Sequence, residues 1–262
     1  MNLLTAGRNG DRLADLEVID MHGHLGRYAF AIPDASAAAL VATMDRIGVR
    51  AAVCSHMQSW SPEAARGNQE VLEAIRAFPG RILGYASAWP DDPDRVTEEI
   101  ARCLAAGFVG IKLHNSNGFP YTTPAYEGAF RLADERSLPV LLHAWGGEED
   151  LAQIAELAAR FPRASILVAH AGCRNPDGYV RLAQQRPNVY LDLAYSLSPR
   201  GLVAWLAERA GVEKLVWGSD GYFFSPAHQI GKVLGANLPD EARARILSTN
   251  AREILARARP AG

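Results

Sequence analysis

The sequence predicts an α/β fold, a single TIM-type (β/α)8 barrel of eight parallel strands. β-favouring apolar runs alternate with helical patterns every ~25 to 30 residues, without a long linker or a shift in composition, as a one-domain parallel barrel requires. At 262 residues the chain has the ordinary length of such a barrel. An open doubly wound sheet would show the same alternation, but no G-x-G-x-x-G follows any strand. The expected organisation is one domain over residues 1–262, with 1–16 as a short N-terminal extension.

The first strand is Val18-Ile19-Asp20-Met21-His22-Gly23-His24-Leu25. A helix is expected over 33–48, capped by Asp34 or Ser36, with Leu40, Val41, Met44 and Ile47 at helical spacing and Gly48 as its stop. Strand 50–55 precedes helix 62–78, which carries Val71, Leu72 and Ile75 on one side and ends at Pro79-Gly80. After strand 82–88, Asp92-Pro93 opens a helix that bears Val96, Ile100 and Leu104 and runs to Gly107. Strand 109–113 ends at His114. Helix 123–136, strand 139–143, helix 148–161, strand 165–170 and helix 176–185 follow. Strand 189–194, helix 199–210, β-run 214–218 and helix 239–256 complete eight strands and eight helices.

Lys plus Arg total 27 against 29 Asp plus Glu, with signs alternating along the chain, so neither nucleic acid nor an anionic membrane is expected as a partner. Cys54, Cys103 and Cys173 are odd in number and far apart, which argues against a disulfide framework and for a reducing cytoplasm. Arg8, Asp11, Arg12 and Asp15 interrupt the first residues, unlike a signal peptide. No stretch approaches the ~20 apolar residues of a membrane span.

Each strand of a parallel barrel delivers its last residues to one rim, where such barrels build their sites. That rim is expected to collect His22 and His24 from the first strand, Lys112 and His114 from the fourth, His143 from the fifth, His170 from the sixth and Asp220 after the eighth. His22 and His24, spaced i, i+2, face one side of an extended strand, and neutral imidazole is the commonest nitrogen ligand for a divalent cation. Singly, each has a plainer reading: a hydrogen-bonded H-x-H pair, core histidines satisfied by carbonyls, an aspartate capping a Ser-Asp-Gly turn. Converging on one rim, they favour a metal-dependent active site.

Ile19-Asp20-Met21-His22-Gly23-His24, Gly110-Ile111-Lys112-Leu113-His114, Leu142-His143, Val168-Ala169-His170-Ala171-Gly172 and Trp217-Gly218-Ser219-Asp220 occur in an order that resembles the amidohydrolase superfamily. The resemblance is nearest to its amidohydrolase-related branch, which includes aminocarboxymuconate-semialdehyde decarboxylase-like enzymes, and Asn250-Ala251-Arg252-Glu253-Ile254-Leu255 resembles that family's closing helix. The resemblance implies that His22, His24, His143 and Asp220 bind one divalent metal, zinc or else manganese, with His170 and Asp220 catalytic. Such an ion lowers the pKa of water from ~15.7 toward ~7, Asp220 takes the proton, and His170 polarises or protonates the substrate. The alternative is a binuclear site bridged by carbamylated Lys112, with His143 and His170 on the second ion; the Lys-Leu-His pattern favours the single ion.

His114 either contacts substrate or braces the rim, and Asn115 stands where the branch often has proline. Arg174 is a candidate clamp for a substrate carboxylate or a surface ion-pair partner. His56, Trp60, Trp145, Tyr195, Tyr222 and Phe223 follow strands and are candidates for an aromatic-walled pocket, whereas Cys173 carries no implied nucleophilic role. The expected function is metal-dependent hydrolysis of an amide, lactone or similar bond in a small molecule. The alternatives are a non-oxidative decarboxylase of a small carboxylic acid using the same residues, and a catalytically silent barrel that binds a metal or ligand. Dimers are common among such barrels, which keeps a homodimer open.

Overall fold

A computed structural model describes residues 2–29, 31–194, 199–221 and 223–259. Its elements alternate as the sequence predicts: α1 (Leu3–Asn9), β1 (Val18–Leu25), α2 (Ala37–Ile47), β2 (Val49–His56), α3 (Ala64–Ala77), β3 (Ile82–Ala86), α4 (Pro93–Ala105) and β4 (Gly110–Leu113). The second half continues with α5 (Glu127–Glu135), β5 (Pro139–Leu142), α6 (Glu148–Arg160), β6 (Ser165–Val168), α7 (Pro176–Gln185), β7 (Val189–Asp192), α8 (Leu202–Ala210) and β8 (Leu215–Val216). Helices α9 (Pro226–Leu234), α10 (Asp240–Ala244) and α11 (Asn250–Arg257) end the described chain. Among the described residues no helix is long and apolar enough to cross a membrane.

The strands lie side by side in chain order, each parallel to the next. Residues just past β8 close the ring against β1: Met21 N donates to Trp217 O at 3.0 Å, Asp220 N to His22 O at 2.7 Å and His24 N to Gly221 O at 2.7 Å. The expected strand 214–218 is therefore a two-residue ladder with β7, followed by backbone that turns toward β1. One core layer lies between strands and helices. An inner cluster including Met21, Val53, Leu141, Leu167 and Val216 fills the barrel. Ala251 and Ile254 of α11 join that cluster, and Arg257 reaches Ser165 Oγ and Tyr190 OH near the starts of β6 and β7. Helix α11 thus seals the end of the barrel opposite the histidine rim.

Two helices beyond the expected eight are present. Helix α1 lies in the segment read as an extension, and α9 carries Gly231 in its interior, where glycine costs about 1 kcal/mol of helix propensity. They pack closely: a Cβ on Gly7 would lie 2.9 Å from Leu234 Cβ. The expected helix 239–256 runs through α10 and α11 by way of a π-helical turn over Arg245–Thr249.

Strand β1 advances three residues, Asp20 to Gly23, while β2 advances two, Ala52 to Cys54. This bulge presses Gly23 on Cys54, whose Sγ would lie 2.8 Å from any Cβ added there, so glycine is needed between the two histidines. At the seam, Asp20 Oδ1 accepts from His22 N at 3.0 Å and Ser219 N at 2.9 Å, and Oδ2 takes the Ser219 hydroxyl. Asp20→Ala is expected to orphan these buried donors and lower the unfolding free energy by about 3 to 5 kcal/mol. Denaturant unfolding measures the loss.

Candidate active site

The strand ends bring His22, His24, His114, His143, His170 and Asp220 around a cavity of about 300 Å³. Six further residues, five of them aromatic, complete its wall. The five histidines and Asp220 are all buried. His170 and Asp220 sit at φ 58° and 53°, the left-handed region that suits few side chains. Both occur where a strand breaks into its loop, so the turn itself aims the side chain at the rim.

His22, His24 and Asp220 each place a donor atom within 4.8 Å of the other two. Asp220 Oδ1 lies 3.1 Å from His24 Nε2 and 3.6 Å from His22 Nε2. Two imidazole nitrogens and a carboxylate oxygen converging at this range fit one divalent ion of the zinc or manganese kind. Their far sides are tied down. Asp192 Oδ2 accepts from His22 Nδ1 at 2.7 Å, and the Ser55 hydroxyl pairs with His24 Nδ1 at 3.1 Å. The first bond keeps the proton of His22 on Nδ1 and its Nε2 lone pair toward the cavity. The Ser55 hydroxyl, able to donate or accept, holds the His24 ring while its Nε2 donates to Asp220, a proton whose place a cation would take. His22, His170 and Asp192 also fall within 4.8 Å of one another, but there Asp192 is already engaged in orienting His22.

His143 lines the cavity yet lies outside the 4.8 Å set. His170 Nδ1 donates to the Ala194 carbonyl, and His170 Nε2 meets His143 Nδ1 at 3.2 Å. Reading protons along that chain, His170 Nε2 accepts from His143 Nδ1 and leaves a lone pair on His143 Nε2. That nitrogen is buried without a hydrogen-bond partner, as a ligand atom awaiting a cation would be. In this arrangement a doubly protonated His170 and a ligating His143 exclude each other, because His143 Nδ1 has one role to give.

Burial dominates the electrostatics. It pushes His22, His114 and His143 well below the ordinary imidazole range and keeps them neutral. It raises the Asp192 carboxyl to about 6. Burial acts on Asp220 in the same direction, but the hydrogen bond from His24 and the neighbouring His22 and His170 outweigh it and hold the carboxylate well below its usual range. Lys112, wholly buried, points Nζ at His22 Nε2 across 3.2 Å, and burial lowers it to about 8 despite Asp220 and Asp192 nearby.

Other expected residues divide. His114 stacks on His143 with ring centroids 3.7 Å apart and accepts from Ser116 N at 3.2 Å, so it both braces the rim and lines the cavity. Trp60, Trp145 and Phe223 line it as expected. His56 does not: it turns into a neighbouring cavity, 3.1 Å from Glu70, with its ring under Gly26. Arg174 does not either, because its turn at φ 55° leaves it exposed on the surface rather than over the site. Tyr195 and Tyr222 lie outside the described residues. The sequence alone assigned no part to Asp20, Ser55, Asp192, Tyr28 or Phe224. The signal for Asp192 was a carboxylate ending a barrel strand.

A family model described as Amidohydrolase matches residues 19–257. No curated protein matches the chain. Among solved structures, a Staphylococcus aureus protein assigned as an amidohydrolase is 15% identical with a TM-score of 0.77, over 92% of this chain and 100% of the other. A dihydroxybenzoic acid decarboxylase from Polaromonas sp. JS666, with bound manganese and the inhibitor 2-nitroresorcinol, is 15% identical over 92% and 97%, TM-score 0.72. An Acinetobacter baumannii protein assigned as a 2-pyrone-4,6-dicarboxylic acid hydrolase, with citric acid bound, is 18% identical over 92% and 100%, TM-score 0.72. At these identities the likeness concerns the fold.

Lys112 supplies a pH test of the burial just described. Folded, it titrates at about 8, against 10.5 for an ordinary lysine. Below 8 its buried charge is fully destabilising; between 8 and 10.5 the unfolded chain binds more protons than the folded one, so stability rises with pH. Metal-free Lys112→Met is expected to exceed the parent in stability at pH 7 by up to about 3 kcal/mol. Urea unfolding across that pH window should show the difference shrinking.

Proposed function

Since the chain belongs to the amidohydrolase family and is therefore an enzyme, we propose that it is a divalent-metal-dependent hydrolase that cleaves an amide, lactone or similar bond in a small molecule. The observation that carries this reading is the convergence of His22 Nε2, His24 Nε2 and Asp220 Oδ1 in a cavity also lined by His143, whose buried Nε2 has no hydrogen-bond partner. These four residues would hold the ion. The ion supplies Lewis acidity, polarising a carbonyl and acidifying water at neutral pH.

The chain's own groups do the rest. Asp192 fixes the tautomer of His22, and Ser55 holds the ring of His24. Asp220, kept ionised by its imidazole neighbours, takes the proton of the attacking water on its carboxylate. His170 Nε2, a lone pair in this tautomer, holds the proton of His143 on Nδ1, and the proton that Asp220 takes from the water is the one returned to the leaving group. The donor set is rich in imidazole, which suits zinc before manganese. Lys112 Nζ, directed at His22 Nε2, is assigned to a one-ion site rather than to a carbamate bridge. Three free, buried cysteines support a reducing, cytoplasmic setting.

The decarboxylase alternative would use the same ligands, and the likeness to the Polaromonas structure supports it. The cavity supports hydrolysis of a neutral bond as the first reading: no lysine or arginine is among the described residues that line it, so a carboxylate would find its counter-charge only at the cluster, from the ion and from Lys112 beside His22 Nε2.

Emission spectrometry is expected to find about one divalent ion per chain, lost in His22→Ala together with turnover. Two ions per chain, with activity restored by bicarbonate, would shift the assignment to carbamylated Lys112. Asp192→Asn should keep the fold and weaken metal binding by about 10- to 100-fold, read by chelator competition. Product analysis separates the reactions: an acid formed without loss of carbon supports the hydrolase, and bicarbonate release overturns it.

A further inference from the structure

The wall of the cavity is a nearly continuous run of rings. Phe223 meets Tyr28 with centroids 5.1 Å apart, Tyr28 meets Trp60 at 5.6 Å, and Trp60 meets His114 at 4.5 Å. His114 stacks on His143, which meets Trp145 edge-on at 4.7 Å, and Trp145 lies parallel to His170 at 4.7 Å and 13°. Among the described residues the large hydrophobic side chains that stand exposed are Tyr28, at 44%, and Trp145, at 38%. Both line this cavity. They come from the loops after β1 and β5, strands four apart in a ring of eight, and so stand on opposite sides of the barrel mouth.

Exposed aromatics confined to the rim of a concave site mark surface that a ligand covers. A volume of about 300 Å³ has ample room for a substituted ring. The charged groups of the wall are one carboxylate, Asp220, and imidazoles, with no lysine or arginine among the described lining residues. An anionic group held away from the metal would be stripped of water with no cation to receive it.

Resting on the hydrolase reading of this site, we propose that the substrate is a flat, single-ring compound with no carboxylate beyond the group that reaches the metal, and that Tyr28 and Trp145 select it by contact with the ring. The scissile bond lies at the cluster and the ring extends toward the mouth. Tyr28 acts on the substrate through its ring.

The test is calorimetry on the zinc-loaded protein with benzamide, benzoate and isophthalate. Benzamide and benzoate are expected to bind, isophthalate at least about tenfold more weakly than benzoate. Tyr28→Ala and Trp145→Ala should each weaken benzamide by about three- to tenfold, and Tyr28→Phe should retain it. Isophthalate binding as tightly as benzoate, no binding of any of the three at millimolar concentration, or alanine variants indistinguishable from the parent would overturn the proposal. Turnover of benzamide and of 2-pyrone, a flat, neutral, single-ring lactone, is assayed in parallel. Ring binding without any metal-dependent turnover supports the ring preference while removing the hydrolase reading.

Discussion

The seam between β1 and the backbone after β8 is the constraint on which the site depends. It joins Asp20 and Ser219, 199 residues apart, through a buried carboxylate that receives two backbone amides and a hydroxyl. Closing so long a loop costs chain entropy, and a sealed barrel recovers it through packing and saturated hydrogen bonds rather than local propensity. The same backbone bonds that shut the ring carry His22 and Asp220 to opposite sides of one gap, His22 O accepting from Asp220 N at 2.7 Å. Barrel closure and assembly of the donor cluster are one event.

Burial then sorts chemically similar groups into different states. Asp192 and Asp220 are both buried aspartates at the rim, yet burial raises Asp192 to about 6 while imidazole neighbours overcome the same penalty at Asp220. The first is suited to hold a ring in place and the second to stay charged beside a cation. The neutral rings of His22 and His143 offer lone pairs where protonated rings would repel an ion. Aromatic rings make up much of the remaining wall of the cavity.

Periodicity revealed the strand–helix alternation because each core-facing stripe is written locally, in the i, i+3, i+4 spacing of α2 or the apolar run of β2. It failed for α9, where Gly231 weakens the local signal and contact with α1 supplies the missing stability. It overestimated β8, whose expected length depended on a partner strand at the far end of the chain. Among site residues, those at strand ends were legible since a parallel barrel sends all such ends to one rim. Arg174 and His56 were not, because a loop's direction depends on its turn: φ 55° leaves Arg174 exposed on the surface, and the ring of His56 is drawn to Glu70.

The sequence by itself determined the barrel, the rim and the ordered histidines and aspartate that identify the family, since each is a matter of residue type at a fixed distance from a strand. Only the tertiary structure decided which of them meet. Tautomers, the unpaired His143 nitrogen, the orienting part of Asp192 and the ring-lined mouth all arise from contacts between segments that no local pattern relates. The physical reason is that hydrogen bonds and ring contacts act over a few ångströms, and folding alone fixes which distant residues come that close.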